Sequence, residues 1–363
     1  MAEEDVLYSE ETSGTQNEKC PSCGANLEFD PATSSLFCSH CEYRKEIKSN
    51  KKAEEEFSTL FVKETKWEED IRAVQCPNCG AKELVSSKDI GKNCPYCGTG
   101  LVLQKEELSG KKPTHVVPFK KDKDSAVKAY LTVVRKRFFA PKLFKLGVTV
   151  NDISGVYSPS FTFDSRTVSP YKGTLGKYYY VTVGSGKDRH QERRIRYFNI
   201  SGVKTHFFDD VLVQAGSKID QKTINTLQPF YTNDAFAYKE DYLFGFSANQ
   251  YSKDGPTCWN EAKKTMEVEI KRLILSGYSY DTVSSFSFST SHFDQSYKYL
   301  LVPIFVGFVR YNNKDFNFFI NGVTNKVVAK TPVSALKVLL VVGIVLVVIV
   351  VIALIAYFSG ILD

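Results

Sequence analysis

The sequence predicts an α+β protein built from three unlike parts. Four Cys-x2-Cys pairs lie in the N-terminal third, the middle of the chain alternates apolar and polar residues with the period of β-strands, and an apolar run of 21 residues stands near the C-terminus. These patterns predict, in turn, small cysteine-built modules, a mainly antiparallel α+β domain and one C-terminal helix long enough to span a membrane.

The cysteine pairs form two quartets of identical spacing. Each reads Cys-x2-Cys, fourteen residues, then Cys-x2-Cys, and the second copy follows the first at an offset of 56 residues. Two such turns can close a tetrahedral site of four thiolates that leaves no open position for water, which is the structural site of a zinc ribbon. The sequence therefore predicts two zinc ribbons with two structural Zn²⁺ ions, although iron in a rubredoxin-like site would use the same ligands. The predicted ligands are Cys20, Cys23, Cys38, Cys41, Cys76, Cys79, Cys94 and Cys97.

Disulfides and inert buried thiols are the alternatives for these cysteines. The first residues carry no cationic segment followed by an apolar one, so we expect no cleaved signal peptide and a reducing compartment, which favours metal ligation. His40 lies inside a cysteine pair and is expected to be a bystander, because all four thiols are present. Cys258 begins a predicted helix and is expected to be a packed thiol rather than a reactive one.

Glycine follows the second cysteine in three of the four pairs. Gly24, Gly80 and Gly98 can adopt the dihedral angles with which such a turn points backbone N–H groups at sulfur. Glu42 stands at the fourth position, so we expect the second turn of the first ribbon to be less ideal.

The region 114–332 is expected to form the cytoplasmic α+β domain. One helix is predicted from just after Asp124 to about Arg137, and another after Pro256 with one apolar face. The other periodic segments predict strands, and the Asn321-Gly322 step predicts a tight hairpin. The apolar face of the second helix comprises Trp259, Ala262, Met266, Ile270 and Leu273, and the predicted strands cover 177–183, 194–200, 284–289, 299–311, 315–320 and 323–329.

The run 338–358 carries no charge and no proline. A helix of that length rises about 30 Å, which is the thickness of a bilayer core, and a buried core helix would keep a polar stripe that this run lacks. Lys326, Lys330 and Lys337 precede it and only Asp363 follows, so the positive-inside bias predicts a single-pass protein of the cell membrane, with its N-terminal bulk cytoplasmic and its C-terminus outside. The predicted segments are an acidic tail 1–17, ribbon 18–45, a charged linker with a helix 46–73, ribbon 74–104, domain 114–332, transmembrane helix 338–358 and external tail 359–363.

The net charge of +6 is divided unevenly along the chain. Residues 1–112 hold 15 basic and 21 acidic side chains, a balance of −6, whereas the remainder holds 32 and 20, a balance of +12. We therefore expect the basic domain to contact the anionic lipids of the cytoplasmic membrane. The acidic ribbon module is expected to project away and offer a protein-binding surface.

Catalytic motifs are weakly represented. Gly176-Lys177 and Gly186-Lys187 lack the upstream glycine and the following hydroxyl of a phosphate loop. His206, Asp209 and Asp210 could form a metal or acid–base cluster, but polar residues at a strand end are the commoner explanation. The run 193–197 mixes basic and aromatic residues as nucleic-acid surfaces do, and a charged strand face above a core face explains it equally well. We expect no enzymatic activity.

The order of motifs resembles a bacterial family of membrane-anchored proteins with transcription-factor-B-type zinc ribbons, some of which carry the label of primosomal replication-restart helicases. That resemblance implies no catalytic activity, and it implies phage-shock and flotillin-like (SPFH) membrane-stress proteins as companions. Besides the two cysteine quartets and the C-terminal helix, the segments that carry it are 156–161, 241–246, 298–303 and 321–326.

Together these features predict a non-enzymatic membrane-anchored adaptor that recruits cytoplasmic proteins, with a role in the membrane-stress response. The alternative is a membrane-tethered nucleic-acid-binding protein. The acidic charge of the first ribbon region disfavours that alternative for the ribbon, and the basic domain leaves it open.

Overall fold

The computed structural model describes residues 18–62, 71–86, 91–102, 111–146, 153–312 and 314–358. The predicted tails 1–17 and 359–363 lie outside the described residues. The described chain is a mixed α+β structure with mainly antiparallel sheets, as predicted. Its strands are β1 Glu28–Asp30, β2 Ser35–Phe37, β3 Arg44–Glu46, β4 Glu55–Glu56, β5 Ile71–Gln75, β6 Lys82–Ser86, β7 Gly91–Asn93, β8 Gly100–Val102, β9 His115–Val116, β10 Ile153–Val183, β11 His190–Gln214, β12 Phe236–Ala237, β13 Ser247–Asn249, β14 Thr282–Phe288, β15 Ser291–Tyr311, β16 Lys314–Asn321 and β17 Val327–Ala329; its helices are α1 Lys123–Arg135, α2 Gln221–Leu227, α3 Gly255–Leu275 and α4 Ala335–Phe358.

Strand β10 is the axis of a sheet of twelve strands. One of its edges pairs with β15 and then with β14, and the other pairs with β13 and then with β11. Strands β16 and β17 extend the sheet beyond β15. The pairs β10–β13 and β15–β9 are parallel. The first half of β10 and the middle of β15 are buried on both faces of the sheet, and the near-continuous apolar run 299–309 of β15 matches this central position.

Helices cover both faces of this sheet. Tyr299, Leu301 and Phe305 face the side of α1 and α3, whereas Leu300 and Val302 face the side of α2. Each of these three helices begins after an aspartate whose carboxylate accepts a hydrogen bond from the backbone N–H three residues later, which satisfies a donor that the first turn leaves unpaired. The capping residues are Asp122, Asp220 and Asp254.

The helix predictions for the domain are confirmed with small shifts. Helix α1 begins and ends two residues before the predicted positions, and in α3 the buried position falls on Ile274 rather than Leu273. In the described part of the linker the helix is a 3-10 helix at Phe57–Phe61, whose Leu60 packs into the core beside the start of α3. Ile71, which falls within the predicted linker 46–73, is the first residue of β5.

The predicted Asn321-Gly322 hairpin is not formed as expected. The connection between β16 and β17 is longer, and the residue with positive φ is Asn325, at 60°. Asn321 is fully buried, and its side-chain amide donates to the carbonyls of Leu227 and Pro229, so the side chain fastens this turn to the end of α2. Gly322 is needed for a close approach: a Cβ there would lie 2.5 Å from the ring of Phe119.

Strands β10 and β11 continue past the rest of the sheet as a two-stranded hairpin. The predicted Gly184-Ser185-Gly186 turn joins them, with positive φ at both glycines. Ile195 is 38% exposed and Tyr197 is 55% exposed. The interpretation of 193–197 as a charged face above a core face is therefore wrong, because both faces of the hairpin meet solvent here.

Replacing Gly322 by Ala should lower the free energy of unfolding by about 1–3 kcal/mol, because the added methyl group must displace the buried ring of Phe119. Urea unfolding of the purified full-length chain measures this effect. Gly343→Ala is the control, since a Cβ at Gly343 meets no atom within 4 Å. Equal stability of the two variants would contradict the close packing.

Candidate metal centres and a buried ion-pair cluster

The four sulfur atoms of each quartet converge on one point. Within each quartet all four Sγ atoms lie within 4.8 Å of one another. The shortest Sγ–Sγ distance is 3.5 Å in the first quartet, between Cys20 and Cys41, and 3.6 Å in the second, both between Cys76 and Cys97 and between Cys79 and Cys94. A tetrahedron with metal–sulfur bonds of about 2.3 Å places its sulfurs about 3.8 Å apart. Both clusters therefore have the composition and size of a tetrathiolate metal site.

The four turns share one backbone geometry. In each, the residue after the second cysteine donates its N–H to the carbonyl of the first cysteine, at 2.8–2.9 Å. That residue has positive φ in all four turns: 77° at Gly24, 60° at Glu42, 70° at Gly80 and 72° at Gly98. Glu42 therefore differs from the other three residues in type but not in backbone conformation. The glutamate adopts the same left-handed conformation, which is unfavourable for a residue with a Cβ.

Backbone N–H groups and burial act on the thiols in opposite directions. The N–H of Cys41 donates to the sulfur of Cys38 and lowers the pKa of that thiol, against the effect of burial. In the second quartet, burial raises the pKa of Cys94, and the nearby Glu83 carboxylate adds to the shift. A metal ion must therefore displace a proton from Cys94 when it binds.

Both cysteine modules, meaning the segments that carry the first and the second quartet, are fixed to the same short part of the domain. In the first module, the N–H of Phe29 donates to the carbonyl of Phe244, and the Phe29 ring packs edge-on against Tyr242. In the second, β6 pairs with β13 through Leu84 and Ala248. The contacts of the first module therefore fall within the segment 241–246, one of those that carry the family resemblance, and the contact of the second lies just after it. The modules do not project from the domain as the charge division suggested, because strand pairing and ring contacts hold them against it.

The remaining sequence candidates do not converge. His40 is exposed and lies outside the converging sulfurs. His206 packs edge-on against Phe208, whereas the Asp210 carboxylate forms an ion pair with Lys298. The suggested site of His206, Asp209 and Asp210 is therefore not assembled. Cys258 is fully buried, and burial raises the pKa of its thiol to about 12, as a packed, unreactive thiol requires.

A buried ionic cluster surrounds Lys298, and no sequence pattern predicts it. The Nζ atom of Lys298 lies 2.7 Å from Oδ1 of Asp210 and 2.7 Å from Oε1 of Glu54. The backbone N–H of Asp210 donates to Oδ1 of Asp164, and the Thr232 hydroxyl donates to Oδ2 of Asp210, both at 2.8 Å. The three carboxylates have the composition of a cation site. The Lys298 ammonium provides the positive charge beside them.

The acids of this cluster titrate differently. Burial, helped by the negative charge of Glu54, raises the pKa of Asp164 to about 7. Burial also acts to raise the pKa of Glu54, but hydrogen bonds from Lys298 and Ser296 outweigh it and the pKa is lowered. Asp164 therefore keeps its proton well above pH 4 and shares it with Glu54, which lets three acids lie beside a single lysine.

The chain is similar to the uncharacterized protein YdjG of Bacillus subtilis (strain 168). The two are 27% identical over 327 residues, which cover 88% of this chain and 91% of that protein. The similarity therefore extends well beyond the cysteine quartets. No family model matches the chain, and no solved structure matches it.

Glu42→Gly should raise the free energy of unfolding of the metal-loaded protein by about 0.5–1 kcal/mol, because glycine adopts positive φ without steric cost. The reverse exchange at the equivalent position, Gly24→Glu, should lower it by a similar amount, since a Cβ at Gly24 meets no atom within 4 Å and only the backbone is strained. Denaturant unfolding with zinc in excess measures both effects, and Glu42→Gln isolates the effect of charge. Destabilisation by Glu42→Gly would contradict this explanation.

Asp164→Asn should flatten the dependence of stability on pH. The pKa of Asp164 is raised to about 7 in the folded protein from 3.8, so the folded state holds a proton that the unfolded chain loses, and this stabilisation declines as the pH rises from about 4 to about 7. Asparagine has no such proton. The variant should gain stability relative to wild type between pH 5 and pH 8, measured by thermal unfolding with zinc in excess, with the exposed Asp209→Asn as control. Parallel curves for Asp164→Asn and wild type would rule this out.

Proposed function

We propose that this protein is a non-enzymatic adaptor, anchored in the cytoplasmic membrane by α4, whose two zinc ribbons form part of a rigid cytoplasmic head that binds protein partners. The observation that carries the proposal is the environment of α4. This helix is long and apolar enough to cross a bilayer, with a mean hydropathy of 3.3 over 335–354, and none of its most apolar stretch is buried against the described protein. A soluble core helix of that composition would be buried.

The surface at the base of α4 supports the membrane assignment. Lys337, in the first turn, donates to the carbonyls of Phe138 and Ala140 and so ties α4 to the segment after α1. Phe138 and Phe139 are 59% and 41% exposed at this point. Exposed aromatic rings beside basic groups are the composition of a membrane interface. The exposed basic residues of this segment are Arg135, Lys136, Arg137 and Lys142.

The metal centres support a structural role for the ribbons. Four thiolates complete the coordination of a tetrahedral zinc ion, and thiolates persist in the reducing cytoplasm, which agrees with a cytoplasmic head. The resemblance found in the sequence adds a class of partner: phage-shock and SPFH proteins that act at the stressed membrane.

The purified protein should hold two zinc ions per chain, measured by elemental mass spectrometry. Cys38→Ser and Cys76→Ser should each reduce the content to one, because each removes a ligand from a different cluster. Cys258→Ser, which alters a cysteine outside both clusters, should keep two. One zinc in the Cys258 variant, or iron in all of them, would contradict the assignment.

Extraction of membranes tests the anchor. The full-length chain should remain in the membrane pellet after alkaline carbonate extraction, and replacing Val345, Val348 and Ile352 by Arg should release it, since each charge near a helix centre costs about 2.5–3.5 kcal/mol. Replacement of the same residues by Leu is the control. A wild-type chain that stays in the soluble fraction would refute the anchor.

Cross-linking in intact membranes tests the adaptor. The captured neighbours should include membrane-stress or SPFH proteins with the wild type and not with the Arg variant, because only the anchored chain reaches them. An anchored chain that captures only itself would refute the adaptor.

A further inference from the structure

The exposed hairpin formed by residues 177–197 is unused by the function proposed above. We call it the arm. It begins beside Gly176, where the pairing of β14 with β10 ends, and each of its strands runs roughly 20 Å from there to the turn. The arm carries six Lys and Arg against two acids, a balance of +4.

The register of the arm separates its side chains into two faces. Tyr178 lies opposite Ile195, and Tyr180 lies opposite Arg193, so these four share one face. The other face carries the pairs Lys177 with Arg196, and Tyr179 with Arg194.

Arginines lie over tyrosine rings on both faces. The guanidinium carbon of Arg193 is 4.5 Å from the ring centre of Tyr178, and that of Arg196 is 5.3 Å from the ring centre of Tyr179. Tyr180 and Tyr197, on the first face, are 64% and 55% exposed, and Tyr179, on the other face, is 37% exposed. Positive charge and accessible aromatic surface are therefore present on both sides of one narrow ribbon.

The sheet directs the arm away from α4. Ala329, at the end of β17, lies in one cross-sheet row with Phe318, Gly307 and Ile153, the first residue of β10. Strand β17 runs in the direction opposite to β10, and α4 begins six residues after Ala329. The arm begins 24 residues along β10 from that row, which is about 80 Å of extended strand. The bilayer that α4 would span therefore lies at the other end of the molecule.

We propose that the arm binds nucleic acid, with its arginines and Lys177 on the phosphates and its exposed tyrosines against bases or sugars. A two-stranded β-ribbon fits the width of a DNA groove, where phosphates flank it on both sides, and that arrangement uses charges on both faces. A flat lipid surface would contact only one face. Exposed rings on which bases stack are the usual means of holding single strands.

The test uses the full-length protein in nanodiscs of neutral lipid, with a fluorescent 30-base-pair DNA duplex and a 30-nucleotide single strand as probes. Anisotropy titrations between 50 and 200 mM NaCl should show binding that weakens steeply with salt. The triple variant Arg193→Gln, Arg194→Gln, Arg196→Gln should weaken binding at least tenfold at 100 mM NaCl. It should also reduce the slope of log K against log salt by about 2–3, one unit or slightly less for each lost phosphate contact.

A matched triple variant, Lys128→Gln, Lys264→Gln, Lys271→Gln, removes the same charge from exposed positions on α1 and α3 and should bind nearly as wild type. Tyr180→Ser with Tyr197→Ser keeps the charge, and it should weaken single-strand binding several-fold.

Absence of binding at 50 mM NaCl, or equal losses in the two triple variants, would overturn the proposal. So would arm-dependent binding to phosphatidylserine vesicles or to polyglutamate as tight as that to DNA, because the site would then belong to a membrane or an acidic protein. These outcomes do not depend on the adaptor role, which cross-linking tests separately.

Discussion

The hydrogen-bonded ladder along β10 holds the parts of the described chain in their places. Its first residues pair with β15 and β13, and its last ones pair only with β11. Through β13 the ladder reaches the second cysteine module, and through β15, β16 and β17 it reaches the start of α4. A strand of 31 residues cannot shift its register by one position without moving every side chain to the opposite face, so this one element fixes which features lie together and which lie apart. The cysteine clusters and α4 lie toward one end, and the arm lies at the other.

The cysteine clusters illustrate how a local requirement outweighs residue preference. All four turns need a residue with a positive φ after the second cysteine. Three of them use glycine, and Glu42 adopts a positive φ although it carries a side chain. The strain of about 1 kcal/mol is small beside the free energy with which a tetrathiolate site binds zinc. A metal-coupled turn can therefore tolerate a residue that an ordinary turn would exclude. Because both modules are fixed to the segment around Tyr242 and Ala248, metal binding would also stabilise the domain edge on which they pack.

The buried cluster around Lys298 is the most demanding arrangement in the domain. Removing the lysine would leave buried carboxylates without a counter-charge, which typically costs about 3–5 kcal/mol, whereas well-packed apolar replacements of a whole cluster are often neutral. Its members come from three strands and from the linker before β4, so it fastens the linker to the sheet. The proton held on Asp164 makes this fastening sensitive to pH. The cluster therefore has a structural role, which is to hold the linker against the sheet.

Patterns within a few residues determined much of this protein from its sequence. The equal spacing of the cysteine quartets, the apolar run of α4, and the helices α1 and α3 depend on neighbours along the chain, and each lies within a few residues of where the sequence predicts it. Tertiary structure alone decided the rest, because the rest depends on residues far apart in sequence. Glu54 and Lys298 are 244 positions apart and meet only through the pairing of β4 with β15. Gly322 is needed for the close approach of the Phe119 ring and not for a tight turn. The arm pairs with no third strand, because β14 pairs with β10 only as far as Thr282, opposite Gly176. No window of sequence contains both partners of such contacts, so periodicity and spacing could not predict them.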